Sequence, residues 1–226
     1  MNTKMLSSLC VALCGALLMG CAGARHVKVP SKRRRPTLSY SPKSVPVRSA
    51  KYPLIVGVAD LRDRRVWKFF GGKDKFFREP IIEGVSNALY NDLKASGLFS
   101  GAKRISADLP RKLTGPERLK LHTKHGVDML LVTDLTKFNM RRIKAGVYLH
   151  DSFNILVDIA WVARLIHLDS GTVVWAGQID RSGKESGASG VLNPGQLGRL
   201  TRDTMRKMGA DMKMLIQRTG KRMASR

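Results

Sequence analysis

Between Phe153 and Leu165 every second residue is apolar: Phe153, Ile155, Val157, Ile159, Trp161, Ala163 and Leu165. Side chains alternate across a strand, so a period of two sets all of them on one face of a long strand over Phe153 to Leu168. A helix would scatter them around its axis. Such a face leaves water only against a second layer, so the chain must build a sheet covered on at least one side. Its 226 residues suit one domain with appendages. An apolar share of 43%, near the globular norm of roughly 45–50%, excludes a collagen-like or wholly disordered chain. Cys10, Cys14 and Cys21 are the only cysteines and all lie near the amino terminus. The body therefore holds together by burial and not by disulfides.

Other elements follow from spacing. Pro53 to Leu61 (PLIVGVADL) is a continuous apolar run, as expected of a buried strand. After an aromatic and glycine-containing loop (Trp67, Phe69, Phe70, Gly71, Gly72, Phe76, Phe77), Pro80 opens a helix. Its apolar residues Ile82, Val85, Leu89 and Leu93 share a face, and Gly97 stands where a C-terminal cap belongs. The loop aromatics either cap the core or form a partner-facing patch. Leu98 to Ile105 is a short strand; Thr114-Gly115-Pro116-Glu117 is a capping box that opens a second helix ended by Gly126. Val127 to Phe138 is a strand, Arg141 to Asp151 a polar connection, and Asp169-Ser170-Gly171 turns the long strand back through Thr172 to Asp180. Ser182 to Gly190 reads as a flexible loop, and a final helix carries Leu197, Leu200, Thr204, Met208, Met212 and Leu215 along one seam. The fold class is α/β, in the order β-α-β-α-β-β-β-α with a mixed sheet, as a single domain of two or three layers.

Met5 to Met19 is an uncharged, mostly apolar run preceded by Lys4. It is short for a membrane span of about 20 residues and fits the apolar part of a signal peptide. Leu18-Met19-Gly20-Cys21 resembles the lipobox of bacterial lipoproteins: an aliphatic residue, a variable one, a small one, then the cysteine that is lipidated. The resemblance implies cleavage between Gly20 and Cys21 and acylation of the Cys21 thiol, and Ala22 implies sorting to the outer membrane, facing the periplasm. The alternative is a chance apolar start with a buried cysteine.

From Ala22 to Tyr52 there are nine basic residues, no acid and four prolines. Residues 21–52 are thus expected to form a lipidated, disordered, basic linker, with the domain over 53–217 and a basic tail over 218–226. Lys32, Arg33, Arg34 and Arg35 are a candidate polyanion contact. The run is either a solvated spacer, a contact for anionic lipid or lipopolysaccharide, or a nucleic-acid site. Export argues against nucleic acid. The whole chain carries 41 Lys+Arg against 17 Asp+Glu, a formal charge of +24.

Four stretches in sequence order carry a wider resemblance: Val56 to Arg62, Ser96 to Phe99, Gly126 to Phe138 and Leu165 to Trp175. They resemble the small α/β domain shared by the curli-secretion lipoprotein, the amino-terminal domain of the periplasmic TolB protein and YajG-type outer-membrane lipoproteins. His167 departs from an acidic position in that pattern. The resemblance implies a non-enzymatic adaptor or accessory subunit in envelope export or surface-structure assembly, with envelope proteins or further copies of itself as partners. Auxiliary subunits of lipid-transport ABC systems share a similar order of elements, which leaves an anionic lipid or glycan as the alternative ligand. Because Arg141 to Asp151 reads as a short polar connection and Trp67 to Arg78 is too short and too charged for a strand pair, no self-made pore is expected.

No catalytic or cofactor motif emerges. Gly177 to Glu185 misses the phosphate-loop spacing, and no G-x-S-x-G elbow exists. His122 and His125 sit three apart on a helix with no third ligand near in sequence. Asp60 and Asp63, beside Arg62, Arg64 and Arg65, are expected in a surface charge network, and Asp134 and Asp158 facing water or a neighbouring subunit. No cofactor and no metal are expected.

Overall fold

A computed structural model describes residues 31, 33, 35–42, 51–66, 76–106, 109, 112–145, 152–187 and 193–223. The elements are β1 (Tyr52–Ala59), β2 (Arg62–Asp63), α1 (Ile81–Ala95), β3 (Phe99–Ile105), α2 (Gly115–His125), β4 (Met129–Ala145), β5 (Ser152–His167), β6 (Val173–Gly187) and α3 (Pro194–Met223). The α/β order expected from the sequence is present, with β2 as an added short strand. The sheet runs β3-β1-β4-β5-β6, with β2 also on β4. β1 lies parallel to both neighbours, while β4, β5 and β6 form an antiparallel meander.

The period of two on β5 does what it dictates. Ile155, Val157, Ile159, Trp161, Ala163 and Leu165 all enter the main core. α1 contributes Ile81, Val85, Leu89 and Leu93 to that core, and α3 contributes Leu197, Met205, Met208, Met212 and Ile216. Both helices therefore cover one sheet face. On the other face a smaller core gathers Ala59, Ile105, Leu130 and Val132 beneath Leu121 of α2. The domain is three-layered over β3-β1-β4 and two-layered towards β6. Phe76 and Phe77 are buried and pack edge-on, with Phe77 also edge-on to Phe138. These two aromatics cap the core; Trp67, Phe69 and Phe70 lie outside the described residues.

The predicted caps are in place. Gly97 and Gly126 take positive φ at the ends of α1 and α2, and the Thr114 amide donates to the Glu117 carboxylate at 2.7 Å. Those carboxylate bonds hold Glu117 below its ordinary pKa. Among the described residues no helix is long and apolar enough to cross a membrane.

Four expectations change. β4 continues through Arg141 to Ala145, where a polar connection was expected, because this mostly charged run has no apolar alternation to mark it yet pairs in register with Ser152 to Leu156 of β5. One premise of the no-pore expectation, a short connection from Arg141, falls with it, while most of the other, Trp67 to Arg78, lies outside the described residues. β6 continues to Gly187, where Ser182 to Gly190 read as a loop. Gly183 serves close packing there: a Cβ would stand 2.2 Å from Thr204 Oγ1 and 3.0 Å from Leu200 Cδ1 of α3. α3 extends to Met223, past the expected boundary at 217. Finally, residues 35–42 of the expected linker pack onto the body, with Leu38 fully buried and Tyr40 nearly so. An apolar pair in a short segment produces no readable periodicity, which is why composition alone made it a linker.

Candidate functional site

The segment from Arg35 to Pro42 forms a strap across α1 and α3. Both the Leu38 and Ser39 amides donate to Glu79 Oε1 at 2.6 Å. The Arg78 amide donates to the Pro36 carbonyl at 3.0 Å, and Arg202 of α3 donates to the Thr37 carbonyl at 2.8 Å. Asn91 of α1 donates to the Tyr40 carbonyl at 2.8 Å. These bonds satisfy the polar backbone that a buried segment must otherwise leave orphaned. The seat is shaped by glycines inside helices, where each costs about 1 kcal/mol relative to alanine. A Cβ on Gly84 would stand 2.6 Å from Leu38 Cβ, one on Gly198 2.4 Å from Pro36 Cβ, and one on Gly209 2.4 Å from Asp92 Oδ2.

At the end of the strap, the Tyr40 hydroxyl donates to Asp92 Oδ2 at 2.5 Å. Arg206 of α3 lies over the Tyr40 ring at 4.9 Å from its centroid. Burial pushes the Asp92 carboxyl up to about 6, against the opposing pull of the Tyr40 bond and the Arg206 charge. Burial, followed by the adjacent Asp92 charge, drives the Tyr40 phenol well above its ordinary value. This cluster joins linker, α1 and α3 in one polar junction.

A cleft of about 330 Å³ opens at the carboxyl ends of β1 and β3, lined by Ala59, Asp60, Leu61, Arg62, Ser106, Leu109 and Val132. This is a place where α/β sheets hold ligands. Its charges are paired. Arg62 makes two bonds to Asp134, at 2.5 and 2.9 Å, and Arg104 reaches Asp60 at 3.0 Å. Arg65, itself buried, binds Asp63 at 2.8 Å. The surface charge network expected around Asp60 and Asp63 is thus what the geometry provides.

Towards β6 the second sheet face is polar. Asp158, almost fully buried, accepts from Ser182 at 2.6 Å and from Arg141 at 2.7 Å. Burial would raise its pKa, but those two bonds and the charges of Arg141 and Lys137 outweigh it and hold the carboxyl below its usual range. Asp134 and Asp158 therefore serve pairing within the chain where water or a neighbouring subunit was expected. His122 Nδ1 donates to the Val127 carbonyl at 2.8 Å, a bond that ties the end of α2 to the strand behind it.

The structure brings together few of the sequence-predicted site residues. Gly20, Cys21, Lys32 and Arg34 lie outside the described residues. Arg33 is exposed, and Arg35 is half-buried with its carbonyl accepting from Arg78 at 2.9 Å. Sequence reasoning missed Leu38, Tyr40, Glu79 and Asp92. The signal that could have found them is the pattern of glycines inside otherwise regular helices, which marks close backbone approach.

No protein-family model matches the sequence, and no curated protein matches it. Among solved structures, a Xanthomonas campestris protein of the DUF330 family is similar at 14% identity and a TM-score of 0.51, covering 85% of this chain and 98% of its own. A neuraminyllactose-binding hemagglutinin homolog from Helicobacter pylori is similar at 9% identity and 0.47, covering 85% and 100%. A minor lipoprotein from Acinetobacter baumannii is similar at 10% identity and 0.38, covering 74% and 94%. The first likeness establishes a shared fold, and the other two fall below a TM-score of 0.5.

Proposed function

We propose that this chain is a lipid-anchored lipoprotein of the outer membrane, facing the periplasm, and a non-enzymatic adaptor or accessory subunit in envelope export or surface-structure assembly, akin to the curli-secretion, TolB and YajG-type group. The observation that carries the reading is the sequence Leu18-Met19-Gly20-Cys21 standing fifteen residues before Pro36, where the chain is fastened to the body. An acylated Cys21 would hold a folded module, through a built attachment, at a bilayer.

Two features support a partner-binding role over ligand capture. Arg62 and Arg104 at the cleft are engaged by Asp134 and Asp60, so the cleft offers an anionic lipid or glycan little unneutralised charge. Among the described residues β6 pairs only with β5, leaving an edge of fifteen residues with ladder groups for a second chain. That second chain is an envelope protein or another copy of this one. Palmitate labelling and membrane fractionation of the expressed chain test the anchor: wild type is expected to take label and sediment with outer membrane, while Cys21→Ser takes none. Undiminished labelling of that variant, or an intact Met1 on the purified native protein, overturns it. Crosslinking in the same cells is expected to yield a discrete oligomer or partner complex, and a strictly monomeric product would remove the adaptor role.

A further inference from the structure

We propose that the outer face of α3 is the surface on which the body lies against an anionic phospholipid bilayer. The inference rests on the anchoring reading above and specifies which side of the module meets the membrane. From Arg199 to Arg218, α3 carries six cations, Arg199, Arg202, Arg206, Lys207, Lys213 and Arg218, against two acids, Asp203 and Asp211. The seam of Leu197, Thr201, Met205, Met208, Met212 and Ile216 is buried, so at 3.6 residues per turn the cations fall on the side away from the sheet. Arg199, Arg206, Lys207 and Arg218 are exposed.

The two acids neutralise little of this ridge. Asp211 turns to β6 and takes both bonds from Arg181, at 2.6 and 2.9 Å. Asp203 pairs with Arg206 at 2.9 Å. Met214, 41% exposed, shares the face with Lys207 and Arg218, an apolar group among cations as at a headgroup boundary.

Charge alone does not choose this side, because α2 on the opposite sheet face also carries Arg118, Lys120 and Lys124 against Glu117. The strap makes the choice. Pro36 sits on Gly198, Arg202 holds the Thr37 carbonyl, and Arg206 covers Tyr40. The described start of the strap, Arg35 and Pro36, therefore meets α3 at Gly198 beside Arg199, and Cys21 precedes Pro36 by fifteen residues in the sequence. The strap and the helix charge therefore lie on one side of the body. A cation near an anionic leaflet gains about fivefold in binding, so three neutralisations multiply to roughly a hundredfold.

The test uses the full chain carrying Cys21→Ser, which lacks the acylation site, and sedimentation with vesicles of phosphatidylcholine with or without phosphatidylglycerol. The residual apolar amino terminus contributes to both vesicle types, so the difference between them is the readout. Selective binding to the phosphatidylglycerol vesicles is expected, weakening as salt rises from about 50 to 300 mM. Arg199→Gln, Lys207→Gln and Arg218→Gln together are expected to lower it roughly ten- to hundredfold. Lys120→Gln with Lys124→Gln, exposed on α2, should leave it within about twofold. Equal loss from both sets, no phosphatidylglycerol selectivity, or retention of duplex DNA but not of these vesicles overturns the proposal. Palmitate labelling of the wild type reports separately on the anchor, so the two readings fail by different measurements.

Discussion

Leu38→Ala tests the strap most directly. Leu38 is fully buried, packed on α1 where Gly84 leaves room for it. Truncating a buried leucine costs about 2–5 kcal/mol, from lost transfer energy plus the cavity left behind. The strap is a surface element that can settle into part of the gap, so the lower half of that range applies, about 2–3 kcal/mol. The loss is also bounded: once it exceeds the free energy of docking, the strap releases and further cost vanishes. Urea unfolding of the full chain measures the loss, and limited trypsinolysis measures the release, since Lys32, Arg33 and Arg34 supply cleavage sites next to the docked segment in sequence. A midpoint loss equivalent to 2–3 kcal/mol (roughly) with faster cleavage there is expected. A cost under about 0.5 kcal/mol, with cleavage unchanged, would mean that residues 35–42 are an undocked linker and would refute the reasoning.

Gly84→Ala should destabilise by about 1–3 kcal/mol in the same assay despite alanine's better helix propensity, because its Cβ would meet Leu38 Cβ at 2.6 Å. A gain in stability would show the seat to be open. Asp92 has a folded-state pKa of about 6, raised from 3.8, so its contribution is in full below pH 3.8 and is lost as pH rises through 6. Urea unfolding at pH 4 and pH 7 should therefore show Asp92→Asn gaining on wild type by on the order of 2–3 kcal/mol across that interval, and parallel curves would contradict the burial of an ionisable carboxyl there.

The sheet and helices were legible because their signals are local and periodic. β5 announces itself by alternation, α1 by Val85, Leu89 and Leu93, and α2 by its Thr114 box and Gly126 cap. The extensions of β4 and β6 were not, for opposite reasons. In β4 the missed residues Arg141 to Ala145 are mostly charged and show no apolar alternation, although they pair in register with β5. In β6 the glycine at 183 looks like flexibility but answers a demand made by Thr204, more than twenty residues on. The strap was least legible, since its partners Glu79, Asp92 and Arg202 lie 40 to 165 residues away along the chain. Pairings at that distance are a property of the packed helices and leave no trace in a local window.

Docking changes what the linker can do. Measured from Cys21 to the start of β1 at Tyr52, a wholly extended tether could reach more than about 100 Å. Fastened at Pro36, the same stretch reaches at most about 50 Å, because sixteen of those thirty-one residues no longer contribute to its length. Glycines at 84, 198 and 209 each forgo helix propensity at a point where a Cβ would collide with the strap or with Asp92, to which Tyr40 bonds. Three such positions on two helices, all serving one short segment, place the attachment among the built parts of the fold. With Cys21 acylated as proposed, a body so held would be confined to a layer next to the membrane, with the strap and α3 as the side proposed to meet it. A partner that docks on the opposite face, where α2 lies, would then approach from the far side, which sets the geometry that such a complex has to satisfy.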